Sequence, residues 1–197
     1  LDSVYCPITR EALGAFGPEA HAATLDRVRD DAGYAAGNLA LMSRRANAAK
    51  AGHDWASASE LARSLEQGPF REIAGLDAAR WQRIAVLCSY VTELPHEEAA
   101  CIPMRVLPPN RLRLFNPIQA LQALVTRQLA TPGWSARLAR LEALLPSEAL
   151  RVDFNRFVLA LAPRVLQAQQ LIQPHEIRWA LEDAWCNELV MKRWTRL

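Results

Sequence analysis

Lysine is nearly missing from this chain. Of the 23 basic residues only Lys50 and Lys192 are lysines, so arginine carries almost all the positive charge. A planar guanidinium suits bidentate phosphate contacts, and it suits surface ion pairs equally well. Acid is missing over one long stretch. Between Glu98 and Glu142 stand Arg105, Arg111, Arg113, Arg127, Arg137 and Arg140, with no Asp or Glu among them. A net charge of +2 does not by itself announce a nucleic-acid binder, so this uneven distribution is the stronger charge signal. No apolar run approaches the roughly 20 residues of a membrane span, which points away from a membrane. Cys6, Cys88, Cys101 and Cys186 form no CxxC pair. That spacing supports neither a zinc knuckle nor a disulfide framework, and reduced, mostly buried thiols in the cytoplasm are the expectation. There is no nucleophile elbow, P-loop or dinucleotide fingerprint. The chain opens at Leu1 with neither a methionine nor a signal-like segment, which suggests a piece of something longer.

What is present divides in two. Residues 1–53 hold five of the eight glycines and read as turns, short strands and one short helix. From Trp55 onward the pattern is helical, and 51% apolar residues can fill a core. "SASELARSLEQ" offers Ser57 or Ser59 as a cap, Leu61 and Leu65 on one face, and a Gly68-Pro69 stop. Asp77 caps a second helix whose inward stripe is Trp81, Ile84, Leu87, Cys88 and Val91. Prolines break residues 95–117 into an extended connector, with "PHEEAAC" as a charged loop or helix start. Helical patterns resume at about 117–130, 134–145, 147–162 and 174–195, with Ser147 as a fresh cap after Pro146. Trp179, Trp185 and Trp194 fall in the last of these. Trp194 is expected in water because Lys192, Arg193 and Arg196 surround it.

Residues 24–52, "TLDRVRDDAGYAAGNLALMSRRANAAKAG", carry the chemistry. "ATLDRV" and "NLALM" are short apolar strands, and "RDDAGYAAG" supplies residues able to take the positive φ of tight turns. Ser43 caps a helix over 44–51, with Gly52 just past its end. Asp26 on the first strand and Asn47 on the helix are oxygen donors able to converge on a hard divalent cation. The plain alternative is an Asp26–Arg27 ion pair and a solvent-facing Asn47. Arg44, Arg45 and Lys50 on the same helix suit a phosphate backbone, as do Arg111 and Arg113 in the acid-free stretch.

This stretch resembles the ββα-metal motif of HNH endonucleases in a variant reading L-D-R, G-Y, G-N, N-x-x-K. The matching residues are Thr24-Leu25-Asp26-Arg27-Val28, Gly33-Tyr34, Gly37-Asn38-Leu39 and Asn47-Ala48-Ala49-Lys50, with Cys6-Pro7-Ile8-Thr9 resembling the usual lead-in. The likeness covers about residues 5–65. It implies Asp26 and Asn47 as metal ligands, Mg²⁺ or Mn²⁺ ahead of Ni²⁺ or Zn²⁺, and Asn38 as the residue orienting a catalytic base. The base position, histidine in the best-known members, is Arg27. Arginine cannot accept a proton, so its role would be to stabilise charge in the transition state. His21 is the only nearby upstream imidazole, and strand alternation brings it to the site only if the chain bends; His53 follows the helix. Other departures are Ala51, where some members place a histidine, Arg29 in place of a second aspartate, and the lack of a cysteine tetrad.

The fold expected is α+β, mostly α: a ββα-metal module over residues 1–54, then an all-helical domain over 55–197. The function implied is a divalent-metal-dependent endonuclease or nickase hydrolysing phosphodiester bonds in double-stranded DNA. The alternative is a catalytically degenerate module binding nucleic acid or protein. In that case the helices would serve as a scaffold for a protein partner or self-association.

Overall fold

A computed structural model of the chain describes residues 4–197. The fold is α+β and mostly α, and it separates into two compact units. The first runs to Leu94 and takes in Pro108–Asn116; the second comprises Pro95–Leu107 and Pro117–Leu197.

The first unit opens with a turn around Cys6. Arg10 N–H donates to Cys6 O at 2.8 Å, and Cys6 N–H donates to Glu11 O at 2.9 Å. The buried Cys6 sulfur accepts from the backbone N–H of Thr9 at 3.4 Å and of Ser43 at 3.3 Å, tying this turn to the hairpin. Strand β1 (Ala23–Arg27) pairs antiparallel with β2 (Leu39–Ser43), setting Thr24 opposite Met42 and Asp26 opposite Ala40. The link between them reverses through Gly33 and Gly37, both at positive φ as the turn chemistry requires. Helix α1 (Arg44–Lys50) starts at Ser43, whose hydroxyl accepts from Ala46 N–H. It ends in a positive-φ residue, but that residue is Ala51 rather than Gly52.

Helix α2 (Trp55–Gln67) begins one turn earlier than the serines suggested. Asp54 is the cap and Ser57 answers it from the third position, a reciprocal capping box. Helix α3 (Ala78–Ser89) starts at Asp77 as expected, and Trp81, Ile84, Leu87 and Cys88 are buried, as is Val91 just past its end. The expected boundary at residue 54 is therefore displaced. The hairpin and α1 are too small to bury a core alone, and α2, α3 and the 108–116 segment complete it. The joins are specific. Arg83 Nη1 donates to Ile8 O at 2.9 Å, Cys88 Sγ approaches His53 O at 3.7 Å, and Arg113 N–H donates to Gly37 O at 2.8 Å.

The second unit is helical: α4 (His96–Ala100), α5 (Pro117–Leu129), α6 (Trp134–Ala143), α7 (Glu148–Ala168), α8 (Pro174–Ala184) and α9 (Glu188–Trp194). Helix α7 runs six residues beyond its expected end, through Pro163. Pro163 and Leu159 face solvent, so the Leu159 carbonyl that the proline leaves without an intrahelical partner is on the side open to hydration. The expected single helix over 174–195 is two, because Asn187 caps α9 by accepting from Leu189 and Val190 N–H. Trp194 is buried, not in water. Its ring centroid lies 5.3 Å from Phe157 and 5.2 Å from Trp185. Its basic neighbours sit one or two residues away and so point elsewhere. The thiols also depart from expectation: Cys6 and Cys88 are buried, Cys101 and Cys186 exposed. No described helix is long and apolar enough to cross a membrane.

Candidate active site between hairpin and helix

Strand alternation turns Thr24 and Asp26 toward α1, where Asn47 and Lys50 stand one helical turn apart. Two contacts join these rows. Asn47 Nδ2 donates to Thr24 Oγ1 at 3.1 Å, and Lys50 Nζ lies 3.4 Å from Asp26 Oδ2. Thr24 and Asp26 thus form the strand side of one seam, and Asn47 and Lys50 its helix side.

Asp26 is buried, and its Oδ2 has no hydrogen-bond partner among the described residues. Lys50 gives its hydrogen bonds elsewhere, to Arg27 O at 3.0 Å and Ala51 O at 3.4 Å. Its 3.4 Å approach to Asp26 is an ion pair without hydrogen-bond alignment. Burial pushes the Asp26 carboxyl up to about 6, although Lys50 pulls it down. A desolvated carboxylate with an unsatisfied oxygen is a costly arrangement that a cation would relieve. Asn47 spends its amide N–H on Thr24, leaving the side-chain oxygen as a second hard donor. The donor types fit a hard divalent cation, with other positions left to water or phosphate. Among the described residues no group of three or more His, Cys, Asp or Glu is gathered for a metal.

The remaining expected residues are placed differently from one another. Asn38 is buried and clamps the link. Its side chain accepts from Arg29 N–H at 2.9 Å and donates to Arg29 O and Gly33 O at 2.7 and 2.8 Å. Its backbone carbonyl accepts from Val28 N–H, so Asn38 fixes the chain directly after Arg27. The Arg27 side chain leaves β1 on the face opposite Asp26. It is 40% exposed, 3.9 Å from Asp30, with its guanidinium 5.1 Å above the Tyr34 ring. His21 is not brought to the seam. It lies in the turn before β1, exposed, with its ring against Gly14.

Lys50 is a correction. It is only 1% exposed and cannot meet a phosphate backbone, because its chain follows Asn47's side of α1 into the interior. Arg44 is exposed and donates to Gly17 O at 2.9 Å, and Arg45 pairs with Glu11. Arg111 and Arg113 are exposed and belong to the same unit as the hairpin, through the bond from Arg113 to Gly37. Beside the seam opens a cleft of about 490 Å³, lined by Arg29, Asp30, Lys50, His53, Asp54 and Glu93 among others. His53 is the imidazole that sequence order alone passed over in favour of His21. Its Nδ1 meets Ser57 Oγ at 3.2 Å and its ring packs edge-on to Trp81. The available signal was its position three residues after Lys50, where the chain turns back from α1.

Comparison with known protein families, curated proteins and solved structures returns no match for this chain.

Proposed function

We propose that this chain is an HNH-like, divalent-metal-dependent endonuclease acting on double-stranded DNA. The observation carrying this reading is the buried Asp26 oxygen, left without a hydrogen bond on the hairpin face that α1 covers with Asn47. Asp26 and Asn47 would hold Mg²⁺ or Mn²⁺. Bound there, the ion would supply Lewis-acid stabilisation of charge on the scissile phosphate. The reaction is hydrolysis: a water oxygen bonds to phosphorus, the P–O bond to one strand end breaks, and the proton passes to the departing oxygen.

The chain's own contributions are positional. Asn38 fixes the backbone after β1, Thr24 orients the Asn47 amide, and Lys50 locks the end of α1 to Arg27 O. Arg44, Arg111 and Arg113 are exposed cations of this unit suited to hold a phosphate backbone.

One observation favours a second reading. The Asp26 charge already has a buried ammonium beside it, and the base position is an arginine held by Asp30 and Tyr34. A module so arranged could bind nucleic acid without cutting it. Plasmid relaxation separates the two. The nuclease reading expects nicked product with Mg²⁺ or Mn²⁺, none with EDTA, and a loss of more than about 100-fold in Asp26→Ala, the scale on which metal-site disruption acts. Duplex binding with no cleavage under any metal would select the second reading.

A further inference from the structure

The Cys6 turn delivers one carboxylate into a group of arginines. Arg10 adopts φ +61°, and the next residue, Glu11, projects toward α1 and α3. Both Glu11 oxygens accept from Arg45 Nη2 at 2.7 Å, and Arg80 Nη2 from α3 lies 3.5 Å from Oε1. Arg80 also reaches Asp77 at 3.6 Å. Arg83, one helical turn beyond Arg80, is anchored on Ile8 O in the same turn. Arg45 Nε is buried with no hydrogen-bond partner, so this guanidinium has a donor that Glu11 does not use.

We propose that Arg45 and Arg80 form a seat for a nucleic-acid phosphodiester, which Glu11 occupies as an internal stand-in when no nucleic acid is bound. This rests on the nucleic-acid reading above and extends it to α3, which lies outside the residues expected to touch DNA. A phosphodiester carries the single negative charge and the paired terminal oxygens that a carboxylate offers, and a planar guanidinium grips either. Glu11 can leave. It is 44% exposed on a flexible side chain, whereas Arg45 and Arg80 are 31% and 23% exposed and held by packing. Surface ion pairs of this kind are worth little, so the exchange costs little.

The test is duplex binding across a salt series by the full chain, its Glu11→Gln variant, and Arg45→Ala and Arg80→Ala, with thermal melts confirming folding. Glu11→Gln should bind up to about fivefold more tightly, with a log–log salt slope steeper by up to about one phosphate contact. Arg80→Ala should lower affinity and flatten the slope, and adding it to Glu11→Gln should cancel the gain. Unchanged or weaker binding by folded Glu11→Gln overturns the proposal. If Arg111→Ala with Arg113→Ala still weakens binding in that case, the nucleic-acid reading stands while the seat falls. If no variant binds duplex at all, both fall. Inorganic phosphate at matched ionic strength is the remaining arm. Stabilisation of Glu11→Gln by phosphate without tighter duplex binding would make free phosphate the occupant and overturn the nucleic-acid assignment.

Discussion

The two units bury polar groups in different ways. In the helical unit the interior carboxylate, Glu182, is closed off: it accepts from Leu107 N–H at 2.8 Å and from Arg178 Nε at 2.9 Å. Trp185 Nε1 donates to Thr126 Oγ1 at 2.8 Å, and Gln122 Nε2 to Ile102 O at 3.1 Å. The exception is the Trp194 indole N–H, a neutral donor left without a partner. In the hairpin unit the interior carboxylate, Asp26, has an ammonium 3.4 Å from an oxygen that accepts no aligned hydrogen bond, and its pKa is raised. A satisfied buried acid reads as architecture. An acid without an aligned hydrogen bond, beside a cleft, is the feature on which the proposed site rests.

The largest expected effect tests the architectural half. Phe157 is fully buried between Trp185 and Trp194. Phe157→Ala should remove about 3–5 kcal/mol of stability, read by urea unfolding with tryptophan fluorescence. A loss under 1 kcal/mol would mean that the aromatic cluster does not hold this unit.

Asp26 should give the next largest effect, as a pH dependence. Its folded pKa, about 6, lies above the ordinary 3.8, so the native state binds this proton more tightly than the unfolded chain does. The associated stability is fully present below pH 3.8 and is lost as pH rises through 6. Its size is about 3 kcal/mol. Asp26→Asn should flatten that part of the profile, while substitutions at Glu182 leave it unchanged. A parent profile that stays flat between pH 4 and 7 would break the contrast between the two acids.

Arg27 tests the chemistry proposed for the seam. Its side chain points away from Asp26, so an imidazole there is badly placed to take a proton from water at the seam. Arg27→His should change cleavage by less than about tenfold, far below the 10²–10⁴ worth of a positioned base. A gain of that larger size would put the reacting water on the Arg27 face instead.

The hairpin, its helix and the Ser43, Asp77 and Ser147 caps were legible because turn and cap chemistry is local. The seam was half legible: strand and helix periodicities set Thr24 and Asp26 on one side and Asn47 and Lys50 on the other, but Asn47 meets Thr24 and Asp26 meets Lys50. That Lys50 would turn inward was not, since a lysine reads as surface unless its carboxylate partner is known to be buried. Residues 108–116 returning to the first unit, and α3 completing it, depend on contacts across long stretches of chain. No local pattern encodes them. Trp194 was misread for a related reason, because neighbouring charge says little about which face of a helix a ring occupies.

The smallest expected effect compares two caps. Ser43 accepts from Ala46 N–H at the start of α1, and Ser147 accepts from Leu150 N–H at the start of α7. Either serine replaced by alanine should cost about 1 kcal/mol. The consequences should differ. Ser147 is an exposed end of a 21-residue helix with ample packing further along. Ser43 is buried, sits at the end of β2, and starts a seven-residue helix that carries Asn47 and Lys50. A helix that short has little stability of its own, so fraying its first turn reaches Asn47 directly. Ser43→Ala should therefore weaken Mn²⁺ binding, followed by calorimetry, while Ser147→Ala leaves it unchanged at equal loss of stability. Equal effects on Mn²⁺ binding would mean that the seam is not the site, and that global stability alone governs what the protein binds.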